Sequence, residues 1–116
     1  MKQLINKGFL APALLAISFA APVAAQEMPV FALDLNDGVV TPGVLNVPAG
    51  ITFKINLKNS GTGPAEFESR RLRKEKVLAP GAASFVVIRR LTPGSYKFFD
   101  EFHSAVASAQ GVIVAK

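Results

Sequence analysis

Turn signals recur at roughly ten-residue intervals along most of this chain and leave room only for short extended segments. The clearest signals are Asn36–Gly38, Pro48–Gly50, Ala79–Gly81 and Thr92–Gly94. Between them, residues 51–58 alternate apolar and polar side chains with a period of two, which is typical of a strand with one buried face. The pattern therefore predicts an all-β sandwich or barrel of seven to eight strands.

The predicted strands cover almost the whole region after residue 29. Residues 39–47 are interrupted by Pro42-Gly43, which favours either two short pieces or one bulged edge strand. Residues 103–110 are rich in small side chains and predict a loop or a single helical turn. The strands are predicted at 30–35, 39–47, 51–58, 65–69, 72–78, 84–90, 94–99 and 111–116.

Residues 1–25 have the three-part organisation of a secretory signal peptide. Lys2 and Lys7 are followed by an almost entirely apolar stretch and then by small residues that end at Ala25. The apolar stretch is shorter than the about 20 residues that span a bilayer, although a retained anchor helix is the alternative. We expect one exported domain at residues 26–116, located in the periplasm of a Gram-negative cell.

Composition removes several functional classes. The chain has no cysteine, which excludes disulfides, thiolate metal sites and thiol catalysis. Removing Lys2 and Lys7 lowers the formal net charge from +5 to +3, which gives no reason to expect nucleic-acid binding. No serine nucleophile in a defined turn accompanies His103, the one histidine, so no catalytic triad is predicted.

The segment 92–99 together with Gly111–Val114 resembles the last hairpin of a cupredoxin. In that fold the loop between the two strands supplies a Cys, a His and a Met to copper, and a further His lies upstream. By this resemblance His103 takes the place of the loop histidine and Asp100 that of the thiolate, while Glu66 lies at or next to the upstream histidine. Blue copper needs the thiolate, so a blue-copper carrier is not expected.

Three further strings are similar to the cupredoxin-like proteins of bacterial iron-uptake systems (the EfeO-type cupredoxin-like domain). They are Glu66–Ser69, Leu72–Gly81 and Phe99–His103. The resemblance implies a small periplasmic component that binds copper or iron and delivers iron to an inner-membrane iron permease or assists ferrous oxidation. It also implies a second periplasmic metal-binding protein as a partner, and at most an accessory role in oxidation.

In the topology implied by the resemblance, five side chains are expected to converge at one end of the sandwich. An imidazole with several carboxylates forms a hard, anionic site that suits Fe(II), Fe(III), Mn(II) or Cu(II) better than Cu(I). The expected metal ligands are His103, Asp100, Glu101, Glu66 and Glu68.

Two readings without a metal stand beside this one. His103 is then an ordinary hydrogen-bonded residue, and Glu66 and Glu68 pair with the arginines at positions 70, 71 and 73 on a solvated surface. The basic run from Arg70 to Lys76 is then a solvated face, a docking surface for an acidic partner or a contact with anionic lipid headgroups. The corresponding function is an interaction module that binds no metal and bridges the permease and a periplasmic partner.

Overall fold

The computed structural model describes residues 8, 11–19 and 28–116. Residues 8 and 11–19 are exposed and have no regular structure. Most of the predicted signal peptide, including its cleavage site, lies outside the described residues. Within the described ranges, no helix has the length and apolar character needed to cross a membrane.

In the part of the chain that the structure describes, nine strands form two sheets, which confirms the all-β sandwich. The first sheet has the order β2-β1-β4-β7 and the second β3-β9-β8-β5-β6. The strands are β1 (Val30–Asn36), β2 (Val39–Thr41), β3 (Val44–Val47), β4 (Phe53–Asn59), β5 (Ala65–Ser69), β6 (Lys74–Leu78), β7 (Ala83–Ile88), β8 (Gly94–Asp100) and β9 (Gln110–Ala115).

The interruption at Pro42-Gly43 is the point where the chain changes sheets. β2 pairs antiparallel with β1, whereas β3 pairs parallel with β9 in the other sheet. Proline cannot donate to a strand ladder, which makes this a natural place to leave one sheet. The predicted segment 39–47 is therefore two strands, and this split raises the number of strands to nine.

The β5–β6 connection is a tight turn rather than the beginning of a strand. Arg73 has a φ of 53°, and its N–H donates to the carbonyl of Arg70 at 3.2 Å. Leu72 packs against the core from within this turn. The predicted strand 72–78 consequently begins at Lys74.

The apolar faces of the two sheets form one core. Phe53, Phe67 and Phe98 are fully buried, and the Phe67 and Phe98 ring centroids lie 5.4 Å apart. Burying one such side chain stabilises a fold by about 1.5–3 kcal/mol, so these rings contribute much of the stability of this small domain.

Three connections meet at one end of the sandwich: the β1–β2 hairpin, the β4–β5 loop and residues 101–109 between β8 and β9. Asp37 and Gly38 form the two-residue hairpin turn, with φ values of 42° and 87°. The Asp37 carboxylate accepts hydrogen bonds from the backbone N–H groups of Thr62 and Gly63. These bonds tie the hairpin to the β4–β5 loop and fix the end of the sandwich that carries the site.

Candidate metal centre

Asp100 is the buried centre of this end of the molecule. Its side chain is 1 % exposed. One carboxylate oxygen, Oδ1, accepts hydrogen bonds from the N–H of Glu66 at 3.0 Å and of Phe102 at 3.1 Å. The other, Oδ2, lies 2.9 Å from Nδ1 of His103. One carboxylate thereby joins β5, β8 and the following 3₁₀ turn, Glu101–His103.

His103 is held beside Asp100 by the shape of the 3₁₀ turn. Asp100 caps this turn by accepting from Phe102 N–H, which brings the residue three positions after Asp100 back towards the carboxylate. The ring also packs closely on Gly38. A side chain at this position would crowd it, since a Cβ there would lie 3.2 Å from the imidazole Cδ2. The imidazole is 29 % exposed, so it remains accessible from solvent.

Glu66 and Glu68 lie on the opposite face of the sheet from Asp100. In β5 the side chains of Ala65, Phe67 and Ser69 are buried and the two glutamates are not. Phe67 pairs with Asp100 in the β5–β8 register, so Asp100 shares the inner face with Phe67. The two glutamates share one face, as alternate residues of a strand do, but they do not converge on the carboxylate of Asp100.

The glutamates on the outer face lie close enough to change one another's pKa. A hydrogen bond between the Glu68 and Glu101 carboxyl groups raises the pKa of Glu68, and burial and the charges of Glu101 and Glu66 act in the same direction. Partial desolvation raises the pKa of Glu66, and the charges of Glu75, Glu101 and Asp100 add to this. The region thus carries negative charge that a bound cation would relieve.

The nearby arginines do not form ion pairs with these glutamates. The Arg70 guanidinium lies 5.3 Å from the ring centroid of Phe99, and that of Arg71 lies 4.2 Å from the ring of Tyr96. In the described part of the chain, the one close contact between a carboxylate and a basic side chain is that of Asp100 with His103. Neutralisation of Glu66 and Glu68 by arginine, the alternative raised by the sequence, is therefore not observed.

Among the described residues, no three His, Asp or Glu side chains converge closely enough to hold a metal ion as they stand. Asp100 Oδ2 and His103 Nδ1 are the two potential metal ligands that lie side by side. The two atoms are 2.9 Å apart and are joined by a hydrogen bond. A cation that used both would displace the proton between them. The five expected ligands are therefore divided into a buried Asp100–His103 pair and an outer group of Glu66, Glu68 and Glu101.

Sequence reasoning did not identify the hairpin turn as part of the site. The Asn36–Gly38 string was interpreted only as a turn, yet Gly38 packs on the imidazole of His103 and its carbonyl accepts from Ser108 Oγ at 2.7 Å. Hydrogen bonds from the Thr62 and Gly63 N–H groups lower the pKa of Asp37, and the nearby charge of His103 adds a small effect. A glycine at position 38, directly after Asp37, is a signal for close packing, but the sequence does not show that His103 is the residue packed against it.

Comparison with known proteins assigns the chain to a family. The cupredoxin-like domain family matches residues 9–115, which is most of the chain. The chain belongs to the cupredoxin-like domain family. The chain has no cysteine, so it lacks the thiolate ligand that a blue-copper centre in this family needs.

A sequence relative is an uncharacterised protein of Rickettsia prowazekii (strain Madrid E). It is 29 % identical over 82 residues, which are 71 % of this chain and 64 % of that protein. The cupredoxin-like chain thus spans less than two thirds of the length of this relative.

Several solved cupredoxin structures are similar to the chain. Dithionite-reduced auracyanin from Roseiflexus castenholzii is 17 % identical with a TM-score of 0.63, and the match covers 75 % of this chain and 96 % of auracyanin. The Cu(I)-bound metal-binding domain of a Streptococcus pneumoniae D39 Cu(I)-exporting P-type ATPase is 10 % identical, with a TM-score of 0.64 and coverage of 75 % and 84 %. At these identities the likeness establishes the cupredoxin-like fold alone.

Glu68→Gln is expected to stabilise the cupredoxin-like domain at neutral pH and to have little effect in acid. Because the pKa of Glu68 is raised on folding, the folded protein holds this proton more tightly, and its stability falls as the pH rises through the raised pKa. The glutamine variant has no ionisable group at this position, so its stability does not fall for this reason. Melting temperatures measured from pH 4 to pH 8 should show the variant's advantage growing with pH.

Asp37→Asn is a control with the opposite sign. The lowered pKa of Asp37 means that its contribution is present above the ordinary aspartate pKa and is lost as the pH falls. The asparagine variant should therefore be less stable than wild type at pH 7, with a deficit that shrinks in acid. A pH-independent shift for both variants would contradict the electrostatic account.

Proposed function

We propose that this chain is a periplasmic metal-binding component of a bacterial iron-transport system. In this role it binds a copper or iron ion and delivers iron to, or assists ferrous oxidation for, an inner-membrane iron permease. The observation that carries the proposal is the pairing of the Asp100 carboxylate with the imidazole of His103 at 2.9 Å, beside glutamates that form no ion pair with any cation of the described residues. Membership in the cupredoxin-like family and the resemblance to iron-uptake proteins support it.

The donor set determines which metal chemistry fits. A blue-copper centre does not fit, because no thiolate is available. Imidazole nitrogen and carboxylate oxygen fit Cu(II), Fe(II) or Fe(III), and anionic oxygen favours the more highly charged ion of a redox pair. Such an ion, when bound, would supply a positive charge and a redox couple.

The residues themselves hold and orient the two ligand atoms. The N–H groups of Glu66 and Phe102 fix Oδ1 of Asp100, which leaves Oδ2 and the imidazole to share one proton or one cation. A site with two protein donors leaves other coordination positions to water. Such a site releases its ion readily, which suits a protein that transfers iron to a partner.

Metal binding tests the proposal directly. Equilibrium dialysis of the purified chain with Cu(II) and with Fe(III) is expected to give one bound ion, and His103→Ala to weaken binding by at least about ten-fold. Asp34→Asn is the matched control, since it removes one charge from the other sheet, where Asp34 accepts from Ser60 Oγ. Equal binding by the wild type and His103→Ala, or no binding by the wild type, would refute the metal role.

A second candidate is the interaction module that bridges the permease and a periplasmic partner. The observation that favours it is a depression beside the β5–β6 turn, where Arg71 and Lys74 of the basic run lie with Arg89 and Arg90 and, among the described residues, none of the four forms an ion pair. Under this function Arg89→Gln/Arg90→Gln would abolish co-purification with the permease, whereas His103→Ala would leave it intact.

A further inference from the structure

A second cavity lies on the outer face of the second sheet, beyond the candidate metal centre. Its volume is about 440 Å³, within the range of about 300–1,000 Å³ typical of small-molecule sites. It is lined by side chains from the turn after β5, from the outer face of β8 and from the start of β9, namely Arg70, Arg71, Ser95, Lys97, Phe99 and Gln110.

The cavity exists because β5 and β8 separate early. They pair only at Phe67 with Asp100 and at Glu68 with Phe99. The chain then leaves the sheet at Ser69, whose hydroxyl donates to the carbonyl of Lys97 at 2.8 Å. On the side away from β9, the first half of β8 is therefore flanked by side chains of the β5–β6 turn instead of by a strand.

Aromatic rings and a backbone carbonyl hold the two arginines in place without neutralising them. Arg70 lies over the ring of Phe99, and Arg71 lies over Tyr96 and donates to the carbonyl of Ser95. Among the described residues no carboxylate forms an ion pair with either arginine or with Lys97. Three positive charges thus surround a cavity whose floor is the half-buried ring of Phe99.

The geometry points to a binding site for a small di- or tricarboxylate anion, of which citrate is the test compound. A guanidinium presents paired N–H donors that match a carboxylate, and Arg70 and Arg71 supply two of these groups. Lys97 supplies a third positive charge for a further carboxylate. Phe99 and the arginine stems supply apolar contacts for the carbon backbone of the anion.

This site is independent of the proposed metal function, because the cations that carry it are not metal ligands. The test therefore uses the full chain freed of metal on a chelating resin. Citrate, acetate and sulfate are titrated at equal ionic strength, and amide chemical shifts are followed by NMR. We expect citrate to change the amide chemical shifts of Ser95, Lys97, Phe99 and Gln110 until the site is saturated. Acetate and sulfate should bind at least about ten-fold more weakly.

Variants separate a defined site from general attraction. Arg70→Gln/Lys97→Gln is expected to weaken citrate binding by about ten-fold or more. The control Lys54→Gln/Lys58→Gln removes two charges from the other sheet, where Lys54 lies over Phe85 and Lys58 bonds to Gly81, and should bind citrate like the wild type. Equal loss in both variants, or equal binding of sulfate and citrate, would overturn the proposal.

A further variant tests the role of the guanidinium itself. Arg71→Lys keeps the charge but loses the planar pair of donors, and we expect citrate affinity to fall by about five-fold. Arg71→Lys should retain the melting temperature of the wild type to within a few degrees. Unchanged citrate affinity in a folded Arg71→Lys protein would show that the guanidinium does not engage a carboxylate.

Discussion

Asp100→Ala is expected to lower the free energy of unfolding by about 2–4 kcal/mol. The carboxylate accepts from the N–H groups of Glu66 and Phe102 and contacts Nδ1 of His103, and it is almost fully buried. Alanine leaves these donors without their acceptor, and each unsatisfied buried donor costs about 1–3 kcal/mol. Urea unfolding followed by circular dichroism gives the difference.

Asp100→Asn separates shape from charge. The amide oxygen can still accept from the N–H groups of Glu66 and Phe102, so most of the stability should remain. The contact with His103 Nδ1 becomes weaker because the acceptor is no longer anionic. Asp100→Asn should therefore lie between the wild type and Asp100→Ala, and an alanine variant as stable as the wild type would show that the carboxylate does not hold this end together.

Gly111→Ala is expected to cost at least about 2 kcal/mol. A Cβ at this position would lie 2.3 Å from Cζ and 2.6 Å from Cε2 of Phe98. Phe98 is fully buried and packs on Phe67, so its ring cannot move away without disturbing the centre of the core. The lower melting temperature should be accompanied by changed chemical shifts of the Phe67 ring.

Gly43→Ala is the matched control for this prediction. It makes the same chemical change, but a Cβ at position 43 has no neighbour within 4 Å and the residue is exposed. We expect its stability to stay within about 0.5 kcal/mol of the wild type. Similar losses in the two variants would indicate an effect of glycine flexibility instead of the clash with Phe98.

Much of the fold could be predicted because local sequence determines strands and turns. The alternation in residues 51–58 and the turn at Asn36–Gly38 correspond to β4 and the β1–β2 hairpin. The parallel pairing of β1 with β4 could not be predicted, because it joins segments that are distant in the sequence, such as Val30 and Lys54, and no local turn connects them. The choice between two strands and one bulged strand at Val39–Val47 likewise depended on which sheet accepts β3.

The candidate site was only partly predictable for a related reason. Asp100 and His103 are three residues apart around a 3₁₀ turn, so their proximity follows from local structure. The position of Glu66 and Glu68 depends on the register between β5 and β8, and a shift of one residue would exchange the two faces. Periodicity places the two glutamates on one face but does not say which face Asp100 shares.

The outer face of the second sheet carries two groups of charged side chains with opposite signs. Glu66, Glu68 and Glu101 form an acidic group, and Arg70 and Lys97 form a basic group beside Phe99 that adjoins it, since the charge of Arg70 acts on Glu68. Such a separation gives the face a dipole, which rotates an incoming charged molecule before contact and raises the rate of productive encounters. Salt would screen this orienting effect over about 8–10 Å, so association should slow with ionic strength more than dissociation accelerates.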